Sequence, residues 1–211
     1  VYSELCDIGS TYDYGRIIRE GINTVIVGKP NVGKSTLMNL LAGCERSIVT
    51  DIAGTTRDIV EESVRLGDIV LRLSDTAGLR ETEDIVEGAG IEKARRRLET
   101  ADLIIAVFDN STALDDDDLK LIERCKNLSG VKVIACINKS DKKSVIDKSE
   151  IINAFDNVIE ISAENGDGKD KLQDVLNNIY LTNSNIYNDL SVNERQKQGL
   201  DKAGKCIEEA M

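Results

Sequence analysis

The run Gly28-Lys29-Pro30-Asn31-Val32-Gly33-Lys34-Ser35 constrains this chain more than any other stretch. Two glycines bracket four residues, and a lysine and a hydroxyl follow at once. Before the run, Ile22-Asn23-Thr24-Val25-Ile26-Val27 is β-branched and reads as a buried strand. After it, Thr36-Leu37-Met38-Asn39-Leu40-Leu41-Ala42 is a helix former with apolar residues at helical spacing. Strand, glycine loop and helix start turn backbone N–H groups and the positive end of a helix dipole toward one point, a site for phosphate. There Lys34 reaches the terminal phosphates and the Ser35 hydroxyl holds Mg²⁺, while Asn31, Val32, Gly33 and Thr36 complete the cradle.

Composition narrows the partners. At 211 residues, with 41% hydrophobic and 31% charged, the chain has the balance of a soluble globular protein with one good core. A net charge of −11 argues against a nucleic-acid clamp, which works by neutralising phosphates with Lys and Arg. The chain has no histidine, and its five cysteines form no C-x-x-C pair, which argues strongly against zinc sites and histidine-based catalysis. Scattered cysteines of this kind fit a reducing compartment, the cytoplasm, with small buried hydrophobes as their role. No stretch approaches membrane-span length, and the start at Val1 suggests a fragment.

Taken in order, residues 1–20 carry helix-like spacing closed by Gly21, too small a segment to fold alone. The main domain is expected over 21–182. In it, 62–66 and 69–73 flank Gly67-Asp68 as a β-hairpin, and Leu103-Ile104-Ile105-Ala106-Val107-Phe108 is a fully apolar strand. Asp115 to Asp118 open a helix as a solvated acidic cap. Strands at 131–137 and 158–161 and helices at 91–100 and 168–180 complete the pattern. Strands alternating with helices predict an α/β fold: a doubly wound, mostly parallel six-stranded sheet with one antiparallel edge hairpin. Residues 183–211 read as a linker, then a helix opened by the capping box Ser191-Val192-Asn193-Glu194, its stripe needing a partner.

Three further motifs fall at strand ends, where ligands sit in such sheets. Asp75-Thr76-Ala77-Gly78 places Asp75 to hold Mg²⁺ through a water and the Gly78 N–H to meet a γ-phosphate. Thr56, in the polar stretch Thr50-Asp51-Ile52-Ala53-Gly54-Thr55-Thr56, is the candidate second hydroxyl ligand of Mg²⁺. Asn138-Lys139-Ser140-Asp141 reads the base: a carboxylate accepts from both N1–H and the N2 amino group of guanine, and adenine offers neither donor there. The substrate expected is therefore GTP. Ser162-Ala163-Glu164 reads equally as a source of backbone N–H groups for the guanine carbonyl and as ordinary helix-entry sequence. Leu79 follows Gly78 where a Ras-like GTPase carries the water-orienting glutamine. Arg80, Glu81, Glu83, Asp84 and Glu87 all stand in the loop that could replace it.

The segments between these motifs resemble the tRNA modification GTPases of the MnmE (TrmE) family, within the translation-factor-like GTPases near the Era group. The stretches that carry the likeness are Gly15 to Gly21, Ile48 to Asp58, Asp75 to Glu81 through Val86-Glu87 to Ala94, and Asn193 to Gln196. The resemblance implies a Ras-like P-loop GTPase fold, with 1–20 and 183–211 as remnants of a helical domain split around the G domain. It implies a potassium ion held by Asn31, Thr50, Ile52 and Thr55, standing in for an arginine finger. It assigns Glu87, with Lys34, to catalysis, Glu87 orienting the attacking water. It also implies potassium-dependent homodimerisation across the switch faces, a flavoprotein partner, MnmG (GidA), and modification of the wobble uridine of tRNA through parts of the protein absent here. No membrane partner is implied. Glu164 stands where the family commonly has a basic residue. The rival readings are a ribosome-assembly GTPase resembling EngA (Der) and a GTP-dependent adaptor that needs an external activator. Lys93, Arg95, Arg96 and Arg97 read as the solvated face of a helix rather than an RNA patch.

Overall fold

The computed structural model describes residues 20–43, 62–73 and 100–181, with positions 17, 199 and 203. The polar stretch 44–60, Asp75 to Gly78 and the acidic loop 79–90 after it, nearly all of the 91–100 helix and the 191–194 capping box lie outside the described residues. Two compact units divide the chain by contact: residues 22–173, and Val1–Gly21 with Asp174–Met211. In the second unit, Gly21 takes φ +78 and donates its N–H to Ile17 O at 2.9 Å. That is a glycine stop closing a helical turn.

Six strands form one sheet in the order β2-β3-β1-β4-β5-β6. They are β1 (Ile22–Val27), β2 (Glu62–Leu66), β3 (Ile69–Leu73), β4 (Leu103–Asp109), β5 (Lys132–Asn138) and β6 (Val158–Glu160). Every pairing is parallel except β2–β3, whose Leu66↔Ile69 register closes a two-residue turn with Gly67 at φ +63. Four helices are described: α1 (Lys34–Ala42), α2 (Asp116–Lys126), α3 (Lys148–Ala154) and α4 (Lys169–Tyr180). This is the expected α/β sheet with its antiparallel edge hairpin.

All seven residues of β4 are buried, as a strand covered on both faces requires. Ile104, Ala106 and Phe108 point to one face, where Ile122 and Cys125 of α2, Ile146, Ile151 of α3 and Phe155 fill the core. The Phe108 and Phe155 rings meet at 6.4 Å between centroids, tilted by 41°. Cys125 and Cys136 are buried free thiols; burial pushes Cys125 up to about 11 and Cys136 further up, so both stay protonated and inert.

Two local differences from the sequence-based expectations have physical causes. Helix α3 has no counterpart among them because only Ile151 of its seven residues is buried, too little for a helical period. Its start is nevertheless written in the sequence: Asp147 caps it, accepting from the Ser149 N–H at 3.0 Å, and Glu150 stands three residues on. The acidic run opening α2 is also not simply solvated. Asp115 and Asp118 form a capping box, and Asp118 is only 3% exposed.

Candidate active site

The glycine loop leaves the carboxyl end of β1, wedged against β4. A Cβ on Gly28 would come within 2.5 Å of Val107 O, so only glycine lets the strand turn there. Gly33, at φ +99, is the N-cap of α1 and contributes no side-chain acceptor, and the first turn of the helix carries no acid. The α1 terminus therefore keeps its positive character for an anion. Lys34 Nζ crosses the loop to Gly28 O at 2.6 Å and Lys29 O at 2.7 Å, at the edge of the same cradle. Ser35 and Thr36 are exposed on this first turn.

Two non-glycine residues in the whole described set take positive φ, Asn31 (+64) and Lys139 (+63), and they are joined. Lys139 Nζ donates to Asn31 O at 2.8 Å and forms an ion pair with Asp109. Left-handed backbone is unusual for lysine, and here the ion pair and the carbonyl hold it. Burial works to raise the Asp109 carboxyl, but the bonds from Lys139 and Ser111 outweigh it and hold the group below its ordinary value.

Asn138 closes the site. Its Nδ2 donates to Val32 O at 2.8 Å, and its Oδ1 accepts the Ala163 N–H at 3.0 Å, so one buried side chain binds the phosphate loop to the 162–164 segment. Asp141, beside it, accepts from Ser162 Oγ at 2.6 Å, a bond that lowers its carboxyl below the usual range and fixes its orientation against the 162–164 segment. Ser140 N–H bonds to Ile161 O at 3.0 Å and registers the two loops. Of the residues singled out from sequence, Asn31 through Thr36, Asn138, Lys139, Asp141, Ser162, Ala163 and Glu164 thus lie at the carboxyl edge of β1, β5 and β6. Thr50, Asp51, Ile52, Ala53, Gly54, Thr55, Thr56, Asp75, Thr76, Ala77, Gly78 and Glu87 lie outside the described residues.

For a divalent cation, the described residues offer the Ser35 hydroxyl, a hard oxygen at the mouth of the phosphate loop. No group of three His, Cys, Asp or Glu able to hold a metal occurs among the described residues.

One contact of the loop had no signal in the sequence. Lys29 Nζ bonds both Asp115 and Asp118 at 2.7 Å, fastening the loop to the start of α2. Burial alone would lower the Lys29 ammonium, but the two carboxylates outweigh it and raise it. The Lys29 bond holds Asp115 down at about 2. Replacing Lys29 by Met is expected to destabilise the protein by about 2 kcal/mol in urea unfolding, because Asp118 is left buried without its cation. The double change Lys29→Met, Asp118→Leu is expected to recover most of that loss. Because the folded carboxyl of Asp115 is depressed, its share of the clamp is present above its ordinary 3.8 and fades as pH falls toward 2.

A family model described as 50S ribosome-binding GTPase matches residues 23–139. The tRNA modification GTPase MnmE of Clostridioides difficile (strain 630) is 43% identical over 213 residues, covering 97% of this chain and 46% of that protein. MnmE of Desulforamulus reducens is 46% identical, covering 94% of this chain and 43% of its own length. The chain thus spans less than half of the relatives it matches. Among solved structures, a point variant of Aquifex aeolicus Era bound to GDP and tetrafluoroaluminate superposes with a TM-score of 0.53 at 28% identity, over 76% of this chain and 56% of Era. The fold and these likenesses agree: the chain belongs to the 50S ribosome-binding GTPase family, resembles proteins named MnmE over nearly its whole length, and is a GTP-hydrolysing enzyme.

Proposed function

We propose that this chain is the GTP-hydrolysing part of a cytoplasmic tRNA modification GTPase that acts on the wobble uridine, switched on by potassium and by pairing of two G domains. The observation that carries the reading is the likeness to proteins named MnmE, 40–46% identical across almost the entire chain. The family model's description favours a ribosome-bound role instead, which makes ribosome assembly the second reading. With a net charge of −11, contact with tRNA falls to other parts of the full-length protein, working with a flavoprotein partner of the MnmG kind. The terminal segments, 1–20 and 183–211, are assigned to a helical domain around the G domain at 21–182.

In this reading Lys34 and the α1 terminus bind the β- and γ-phosphates, and Ser35, Thr56 and Asp75 (through water) hold Mg²⁺. Asp141 accepts from guanine N1–H and N2–H, while Ala163, held by Asn138, presents the segment that meets the guanine carbonyl. Asn31 is exposed at the turn of the phosphate loop, and its side chain is assigned to potassium together with Thr50, Ile52 and Thr55. Potassium there supplies positive charge against the developing negative charge of the transferred phosphoryl group. Glu87 orients the attacking water in place of the glutamine that Leu79 lacks.

Glu87→Ala is expected to leave GTP affinity within about twofold while single-turnover hydrolysis falls by roughly 10²–10⁴, the range for losing a positioned proton acceptor. Turnover within about twofold of the unmodified protein would assign the water elsewhere. A tRNA modification assay in cells whose own gene carries Glu87→Ala discriminates this reading from ribosome assembly, in which 50S subunit maturation would fail instead.

A further inference from the structure

Asn110, immediately after β4, belongs to none of the sequence motifs, yet the base-reading loop is wrapped around it. Its own N–H donates to Asn138 O at 2.8 Å, and its carbonyl accepts from the Val145 and Ile146 N–H groups at 2.8 and 3.2 Å. Its side-chain amide donates to Lys142 O at 3.1 Å and Lys139 O at 3.4 Å, and its Oδ1 accepts from Ser144 Oγ at 2.9 Å. The amide orientation follows from chemistry: two carbonyls can only accept, so the nitrogen must face them, and the hydroxyl serves the oxygen. The residue is only 2% exposed.

Each of these bonds falls on the loop 138–146, and two of them bracket Asp141. Lys139 is the positive-φ residue before Asp141, and Lys142 follows it, with the Lys142 N–H bonded to Lys139 O at 3.0 Å. The tight turn that carries Asp141 therefore has both of its carbonyl ends on one buried amide. On the far side, Ser162 Oγ holds the Asp141 carboxylate itself. A two-oxygen acceptor reads two donors of a flat base only if its plane is fixed, and long-range contacts of this kind fix it.

From this we infer that Asn110 is the positioning residue of base recognition: by holding the Lys139 and Lys142 carbonyls it sets the plane of Asp141, and so sets the preference for a base bearing both N1–H and a 2-amino group. The inference rests on Asp141 being the base reader. Inosine diphosphate separates the two donors, because it has the N1–H and lacks the 2-amino group.

The test measures dissociation constants of GDP and inosine diphosphate by calorimetry, and KM and kcat for GTP, on the 211-residue chain. Variants are Asn110→Ala, Asn110→Asp and Ser144→Ala, with Asp141→Asn alongside. Asn110→Asp keeps the acceptor for Ser144 and removes both donations. Both Asn110 variants are expected to lower the GDP preference over inosine diphosphate about tenfold, the worth of one net hydrogen bond, with KM for GTP rising more than kcat falls. Ser144 is exposed, so Ser144→Ala folds, and it is expected to lower the preference by roughly two- to threefold. Equal losses for both nucleotides, with their ratio unchanged, would mean that Asn110 only supports the fold, and would overturn the inference. So would an unchanged ratio in Ser144→Ala if the Asn110 variants fail to fold. If Asp141→Asn also keeps the ratio, the base-reading assignment itself fails; if it abolishes the ratio while the Asn110 variants keep it, only the role of Asn110 is lost.

Discussion

Asp141→Asn is expected to turn the protein from guanine to xanthine nucleotides. An amide in place of the carboxylate presents a donor where guanine N1–H and N2–H also donate, so GTP meets a mismatch. Xanthine has a carbonyl at position 2, which the new amide matches. Sites built to hydrogen-bond a substrate discriminate by roughly 10⁴-fold, and a swing of that order is expected between GTP and XTP. The geometry supports so large an effect because Asp141 is held from one side by Ser162 Oγ at 2.6 Å and from the other by the loop bound to Asn110. Competitive displacement of a fluorescent GDP analogue by XDP and GDP measures it. Unchanged GTP binding would remove Asp141 from base recognition.

Replacing sodium by potassium is expected to raise steady-state GTP hydrolysis roughly 10²–10³-fold, the range for one preorganised charge against a developing oxyanion. The Asn31→Ala variant is expected to lose most of that stimulation while still binding GDP, since its main-chain bond to Lys139 survives the change. The readouts are phosphate release in each salt at constant ionic strength and the oligomeric state with an aluminium fluoride analogue. Equal rates in sodium and potassium would end the potassium assignment, whatever the variant does.

How much of this could be read from the residues alone depended on chain distance. Gly28 to Ser35 announced itself because strand, loop and helix are consecutive, and Asn138 to Asp141 because a strand ends there. The 62–73 hairpin was legible for the same reason: its turn lies between its own strands. What escaped was long-range. Lys29 meets Asp115 and Asp118 across 86 and 89 positions, and the Asn110 amide meets the Lys139 and Lys142 carbonyls across 29 and 32. Neither leaves a periodicity, since each bond is between single side chains or a side chain and a carbonyl. Helix α3 escaped for a different reason: one buried residue gives no stripe, and its cap was the only readable sign.

The space beside Gly33 has a consequence for how this protein can vary. A Cβ there would stand 2.2 Å from Asn138 Nδ2. The two positions, one in the glycine loop after β1 and one at the end of β5, therefore share a single volume, so a larger residue at Gly33 needs a smaller one at Asn138. Enlarging Gly33 alone would push Asn138 off Val32 O and loosen the one side chain that staples the glycine loop to the 162–164 segment.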